Sequence, residues 1–211
     1  LDFHCPHFVE IKEAVTEEAV RRFAQGESVQ VLSPYNNKGN LSAYALNMAI
    51  RDRVNPLERG KMVLKRDKDS FRDKDRVIIL QNDRERNCSN GDVGILHILK
   101  VEEKRVTYCV ELPDGRCPTW DDASGLAQLS LAYCLTVHKS QGSEYDTILL
   151  PVAKGMDGML SRNLLYTAIS RAKKRVILYG DPQALDVAVQ KNLPQRKSLL
   201  VPKTRMLLEC A

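Results

Sequence analysis

From residue 129 onward the chain alternates in a way that leaves few folds open. β-prone apolar runs are expected as strands at 132–137, 147–152 and 175–179. A helical pattern at 161–172 separates the last two, and another runs from Asp181-Pro182 to about 191, with proline at its first helical position. Strands that alternate with helices argue for a mainly parallel sheet covered on both faces. Ligands of such sheets gather at the carboxyl ends of the strands. Two polar loops, 33–39 and 136–144, are expected at such ends.

The first sixty residues repeat the pattern. A short strand is expected over 3–11, then a helix capped by Thr16, with Val15, Ala19, Val20 and Phe23 as its buried stripe and Gly26 as its stop. A second strand follows at 29–32. A helix is expected over 42–53, with Leu41, Tyr44, Ala45 and Met48 on one flank and Asn55-Pro56 ending it. Between 61 and 120 the character changes to short strands and turns, with Asn90-Gly91 and Asp114-Gly115 as turn signals and period-two alternation over 104–112. This stretch reads as a small antiparallel barrel of four or five strands, inserted at 63–127 into an α/β domain formed by 1–62 and 128–211.

The chain has 211 residues and a net charge of +5, but the placement of charge says more than its sum. Residues 51–76 hold ten Lys or Arg against six Asp or Glu; residues 161–176 hold five basic residues and no acid. Either a polyanion partner or a solvated basic face accounts for that. The six cysteines form no CxxC pair and read as reduced thiols of a cytoplasmic protein. His4-Cys5-Pro6-His7 lacks a second ligand cluster, so no metal site is expected. No apolar run approaches the ~20 residues needed to cross a bilayer, and no secretion signal is visible.

Thr136-Val137-His138-Lys139-Ser140-Gln141-Gly142-Ser143-Glu144 is a poor core segment. A glycine there lets backbone approach a phosphate or sugar, the basic pair can meet an anion, and Glu144 can accept from a sugar hydroxyl. An ordinary polar loop between strands fits the same residues. In the helix at 161–172, Leu164, Leu165, Ala168, Ile169 and Ala172 share one side and Asn163, Thr167 and Ser170 another, with Arg171 at the border. That suits a cleft wall bearing one guanidinium, which can stabilise a transferring phosphoryl group. Service to the helix C-terminal dipole is the other role open to Arg171.

The two stretches, 136–144 and 165–172, closely resemble motifs V and VI of superfamily 1 helicases, nearest to the RecD and TraI-like branch. Residues 31–34 with the turn after them and 45–47 resemble motif IV. Residues 75–78, 82–83 and 90–94 resemble the start of that branch's inserted SH3-like barrel. The resemblance covers Phe3 to about Val189. It implies a RecA-like second motor domain of the P-loop NTPase type with an inserted SH3-like barrel. It implies Arg171 as the arginine finger, Gln141, Gly142, Glu144 and Lys38 toward the nucleotide, and Ser33, Thr136, His138, Lys139 and Ser140 toward single-stranded DNA. The barrel would touch DNA near the point of strand separation. Relatives often carry an arginine just after the proline of motif IV; here the stretch reads Tyr35-Asn36-Asn37-Lys38-Gly39, and Lys38 as a substitute lacks the bidentate fork.

No G-x-x-x-x-G-K-[ST] phosphate loop occurs; the only Gly-Lys pair, Gly60-Lys61, is followed by Met62. The expectation is therefore the C-terminal part of a longer ATP-dependent 5′–3′ DNA helicase, inactive alone. ATP and Mg²⁺ would be cofactors of the whole enzyme, with none bound by this part. Its partners would be single-stranded DNA, the N-terminal motor domain and, in some assemblies, nuclease and helicase subunits of a recombination complex. An ATP-independent nucleic-acid-binding adaptor that kept a motor fold is the alternative.

Overall fold

The computed structural model describes residues 1–5, 10–66, 69–102, 105–156 and 158–191. Five parallel strands form one sheet in the order β1 (Asp2–His4), β12 (Ala172–Gly180), β11 (Tyr145–Val152), β2 (Val29–Ser33), β10 (Cys134–Thr136). Thr147 to Val152 are buried without a break. Alternate residues of a strand point to opposite faces, so such a run means the sheet is covered on both sides. Helix α1 (Ile11–Ala24) packs on α2 (Ala43–Val54) and on β2 and β11. Helices α3 (Arg162–Ile169) and α4 (Pro182–Gln190) pack on one another, and α3 also meets β11 and β12.

Several local expectations shift. The strand expected over 3–11 is three residues long; its stretch 6–9 lies outside the described residues. Helix α1 begins at Ile11, five residues before Thr16. The Thr16 hydroxyl donates to the Lys12 carbonyl at 2.7 Å from inside the helix, so it caps nothing. Ile11, Val15 and Ala19, one face at a spacing of four, place the start earlier. Ser42 caps α2 by accepting from the Ala45 N–H, and that phase buries Ala43, Leu46, Asn47 and Ile50. Tyr44, expected on the packed flank, is 49% exposed. The helix expected over 161–172 stops at Ile169, because the chain re-enters the sheet as β12.

The rest of the chain is antiparallel. Strands β3 (Val63–Arg66) and β4 (Asp69–Arg72) pair as a ribbon. A five-stranded sheet runs in the order β8 (Thr119–Trp120), β7 (Val106–Glu111), β6 (Val93–Val101), β5 (Arg76–Ile79), β9 (Leu129–Leu131). The apolar run near 129–137 is thus divided between two sheets. Its first part, β9, pairs with β5, and only β10 joins the parallel sheet. The two sheets meet at Asp75, which is fully buried. Its carboxylate accepts from Asn55 Nδ2 at 2.8 Å, the Arg72 N–H at 2.8 Å and the Tyr133 hydroxyl at 3.1 Å, with Arg51 at 3.9 Å. Burial nevertheless holds the carboxyl above the usual aspartate range, against the pull of these donors and Arg51.

Candidate functional site

The site residues fall along one connection, 137–144, and at the two ends of the sheet it joins. At the carboxyl end, Ser33 and Thr136 are register partners on neighbouring strands, so loops 33–39 and 136–140 lie side by side. The Ser33 hydroxyl donates to the Leu41 carbonyl at 2.7 Å and accepts from the Tyr35 N–H at 3.2 Å. Thr136 Oγ1 accepts from the Lys139 N–H at 3.3 Å, and the Ser140 hydroxyl donates to the Val137 carbonyl at 2.8 Å. All three of these residues are buried, Ser33 and Ser140 completely. They shape the turn, and His138 and Lys139 are the side chains it presents. His138 is exposed; Lys139 is half-buried, and burial pushes its ammonium below the ordinary lysine range. Lys38 is exposed and lies 5.7 Å from the Tyr35 ring centroid.

The connection then crosses the sheet. It leaves β10 level with Ser33 and re-enters as β11, where Thr147 is level with Val29. The four residues between those levels span about 13 Å at ~3.3 Å each. Gly142 turns the chain at φ +88°, a backbone angle that L side chains rarely adopt. Gly142, Ser143 and Glu144 therefore stand at the amino end of the sheet, and Arg171 stands with them. The Tyr145 N–H donates to the Arg171 carbonyl at 2.9 Å, and Tyr145 pairs with Ala172. Arg171 Nη1 donates to the Ser143 carbonyl at 3.4 Å and Nη2 to the Ser170 hydroxyl at 3.2 Å; its Nε is buried without a partner. Glu144, exposed, faces Lys173 at 3.5 Å.

The expectation that both loops lie at carboxyl ends thus holds for 33–39 and for the start of 136–144. It does not hold for Gly142 and Glu144, which stand at the amino end with Arg171. Helix α3 runs back between parallel strands, so its last turn must deliver Arg171 to the amino end. The structure brings Arg171 together with Gly142 and Glu144, and Ser33 together with Thr136 and the turn that carries His138, Lys139 and Ser140; Lys38 lies on the loop that follows Ser33. Exposed Gln141 lies between the groups. Lys38 and Arg171 are not brought together. Sequence reasoning missed a cleft of about 630 Å³ beside Lys139, lined by Asn36, Asn37, Tyr44, Arg51 and Arg66 among others. A signal existed: once Ser42 is the cap, Tyr44, Met48 and Arg51 fall on one helix face away from Ala43, Leu46 and Ile50. Among the described residues, no group of three or more His, Cys, Asp or Glu could hold a metal ion, and no helix is long and apolar enough to cross a membrane.

A covered parallel sheet, with an arginine after one helix beside a Gly-containing crossing loop and with an antiparallel insert, has the fold of a RecA-like domain. Residues 131–179 match the UvrD-like helicase C-terminal domain, and residues 46–111 match the SH3 domain of ATP-dependent RecD-like DNA helicases. Over most of its length the chain is similar to RecD-like helicases. It is 35% identical to the ATP-dependent RecD2 DNA helicase of Deinococcus radiodurans over 88% of this chain and 25% of that protein. It is 26% identical to the RecBCD enzyme subunit RecD of Haemophilus influenzae over 83% of this chain and 25% of that one. The chain therefore spans about a quarter of the length of these curated relatives. In fold it is similar to the Pif1 helicase from Bacteroides, with a TM-score of 0.52, 16% identity and coverage of 97% of this chain and 54% of that one. The Pif1 helicase from Candida albicans gives 0.50 at 17% identity, over 97% and 58%.

Proposed function

We propose that this chain is the second motor domain, with its insert, of an ATP-dependent 5′–3′ DNA helicase. It provides one wall of a nucleotide site at the amino end of its parallel sheet and part of a single-stranded DNA path at the carboxyl end. The observation that carries this reading is the setting of Arg171. Its guanidinium is held by two neutral oxygens, has no carboxylate partner among the described residues, and keeps a buried Nε–H without a partner. A cation so held suits a phosphate arriving from another domain. ATP with Mg²⁺ supplies the phosphoryl group whose transfer drives such a motor. Arg171 would stabilise charge developing on that group, Glu144 would accept from a ribose hydroxyl, and Gly142 and Gln141 would let backbone approach the nucleotide. His138 and Lys139 would meet DNA phosphates, on a turn set by Ser33, Thr136 and Ser140. Lys38, on the loop that follows β2 at the carboxyl end of the sheet, would lie on the DNA side rather than toward the nucleotide. The insert fixed at Asp75 would move with this domain, and the domain 1–62 plus 128–211 would close against a first motor domain as ATP binds.

The named relatives support this reading, since one is called an ATP-dependent DNA helicase and another a subunit of the RecBCD enzyme. The test has two arms. Residues 1–211 alone should show no ATP turnover stimulated by single-stranded DNA; robust turnover would mean that the site is not split between domains. In the whole helicase, Arg171→Ala should reduce turnover by about 10³-fold or more while ATP still binds, as loss of an arginine finger does. Wild-type turnover in that variant would remove Arg171 from the chemistry.

A further inference from the structure

Two thiols of the insert are left unused by the function above. On the hairpin of β7 and β8, Cys109 stands level with Thr119. Beyond that pair the Val110 N–H donates to the Pro118 carbonyl at 3.0 Å and the Leu112 N–H to the Arg116 carbonyl at 2.9 Å. This register sets Cys117 opposite Glu111. Residues two apart on a strand share a face, so Cys109 and Cys117 are diagonal neighbours on one face of the hairpin. Both stand between the hydrogen-bonded positions, where facing strands bring side chains closest. The two thiols meet there: burial first, and then a hydrogen bond with Cys117, push the Cys109 thiol up to about 12. Cys117 is exposed, Cys109 is only 7% exposed, and both are free. Strand β8 has two residues and one neighbour, β7, so few backbone bonds hold this edge of the insert. Arg116 fixes the chain just before Cys117, bonding Asp114 at 2.7 Å and the Asn87 carbonyl at 2.7 Å. An exposed thiol held beside a buried one can be captured first and then closed on by its partner.

We propose that Cys109 and Cys117 form a reversible oxidation site, closed to a disulfide by small external disulfides of the glutathione type and reopened by small thiols. The inference rests on the insert alone and on neither side of the function above. In the first step the Cys117 thiolate attacks a sulfur of the external disulfide. That S–S bond breaks, and the departing small thiolate takes up the proton that Cys117 lost. In the second step Cys109 gives up its proton and attacks the Cys117 sulfur of the mixed disulfide. The Cys109–Cys117 bond forms, and the second small thiolate leaves and takes that proton. Both cysteines are oxidised and one external disulfide is reduced to two thiols. Closure encircles the nine residues 109–117 and fastens the short edge strand β8 to β7.

The test treats the native 211-residue chain with oxidised glutathione, blocks the remaining thiols by alkylation and follows the products by mass spectrometry. Trypsin cuts after Arg105, Arg116 and Lys139, so the link joins peptide 106–116 to peptide 117–139, and fragment ions separate Cys117 from Cys134. The glutathione adduct on Cys117 should appear first and give way to the Cys109–Cys117 link. The linked chain should melt about 5 °C higher than the reduced chain, and dithiothreitol should return it to the reduced melt. Cys109→Ala should stop at the Cys117 adduct with no rise in Tm, and Cys117→Ser should leave Cys109 reduced. Should Cys109→Ala fold poorly in a thermal melt, the wild-type products decide alone. A wild-type chain that keeps both thiols free, stops at the Cys117 adduct or joins Cys117 to Cys134 overturns the inference. So does a Cys109–Cys117 link that lowers Tm, since closure would then need a hairpin distorted from the one described. Each of these results leaves the proposed function standing.

Discussion

Asn47 is the residue whose loss should tell most about how the site is held. Strand β10 is three residues long and lies at the edge of the parallel sheet, with β2 as its one neighbour. The Asn47 amide clasps it from α2: Nδ2 donates to the Cys134 carbonyl at 2.7 Å, and the Cys134 N–H donates to Oδ1 at 2.9 Å. Both residues are buried, at 6% and 1% exposure. Asn47→Ala strands one donor and one acceptor away from water. Each unsatisfied buried group costs roughly 1–3 kcal/mol, and partial relaxation makes about 3 kcal/mol a fair total. For a chain of this size that is a fall in Tm of about 6–12 °C, at roughly 2–4 °C per kcal/mol. Urea melts should give the same loss with an unchanged slope, and the amides of 135–140 should exchange faster than those of β11. Asn47→Asp should be no better, since it keeps the acceptor but sets a buried carboxylate against the Cys134 carbonyl. A fall in Tm below about 2 °C for Asn47→Ala would show that the clasp does not hold β10, and the account of how the turn at 136–140 is positioned would fail with it.

Two further outcomes follow from named groups. The Asp75 carboxyl is raised in the folded chain, so the fold binds its proton more tightly than the unfolded chain does. Its contribution to stability is full below the ordinary carboxylate pKa and is lost as pH rises through the raised value; Asp75→Asn should remove that part of the pH dependence, and urea melts with a pH profile unchanged from wild type would refute it. Gly142→Ala should cost about 1–2 kcal/mol from backbone strain alone, because φ is +88° and nothing lies within 4 Å of the added Cβ. Gly142→Asn should recover part of that, and equal stability of the alanine variant in denaturant melts would show that the turn can be made another way.

The parallel sheet was legible because its strands announce themselves twice, as apolar runs and as partners of intervening helices. The buried side of α2 was not. Leu41, Tyr44, Ala45 and Met48 have the right spacing for a stripe, but so have Ala43, Leu46 and Ile50, and only the Ser42 cap decides the phase. The division at Tyr133 was also hidden. A continuous apolar run carries no mark of where one sheet hands it to another; that is set by β5 and by Asn47, both more than 50 residues away. For the site, motif order singled out the residues but not their ends of the sheet. Which end Arg171 occupies follows from the direction of α3, a property of the topology and not of the residue.

Charge is where composition said too much and the structure narrows it. Of the basic residues in 161–176, Lys173 faces Glu144, Lys174 bonds Asp146 and Arg175 lies near Asp2. In 51–76, Arg53 meets Glu13, Arg72 meets Asp52 and Arg51 lies near Asp75. The exposed pairs among these contribute little to stability, but they do cancel part of the field that a count of lysines and arginines suggests. Arg171 and Lys139 are different. Each is partly withdrawn from water, and neither has a carboxylate partner among the described residues. One stands at each end of the same crossing connection. A cation kept half-buried without a counter-ion is unfavourable in the isolated chain. It becomes favourable when an anion comes to it, which is what the proposed function requires at both ends of this connection.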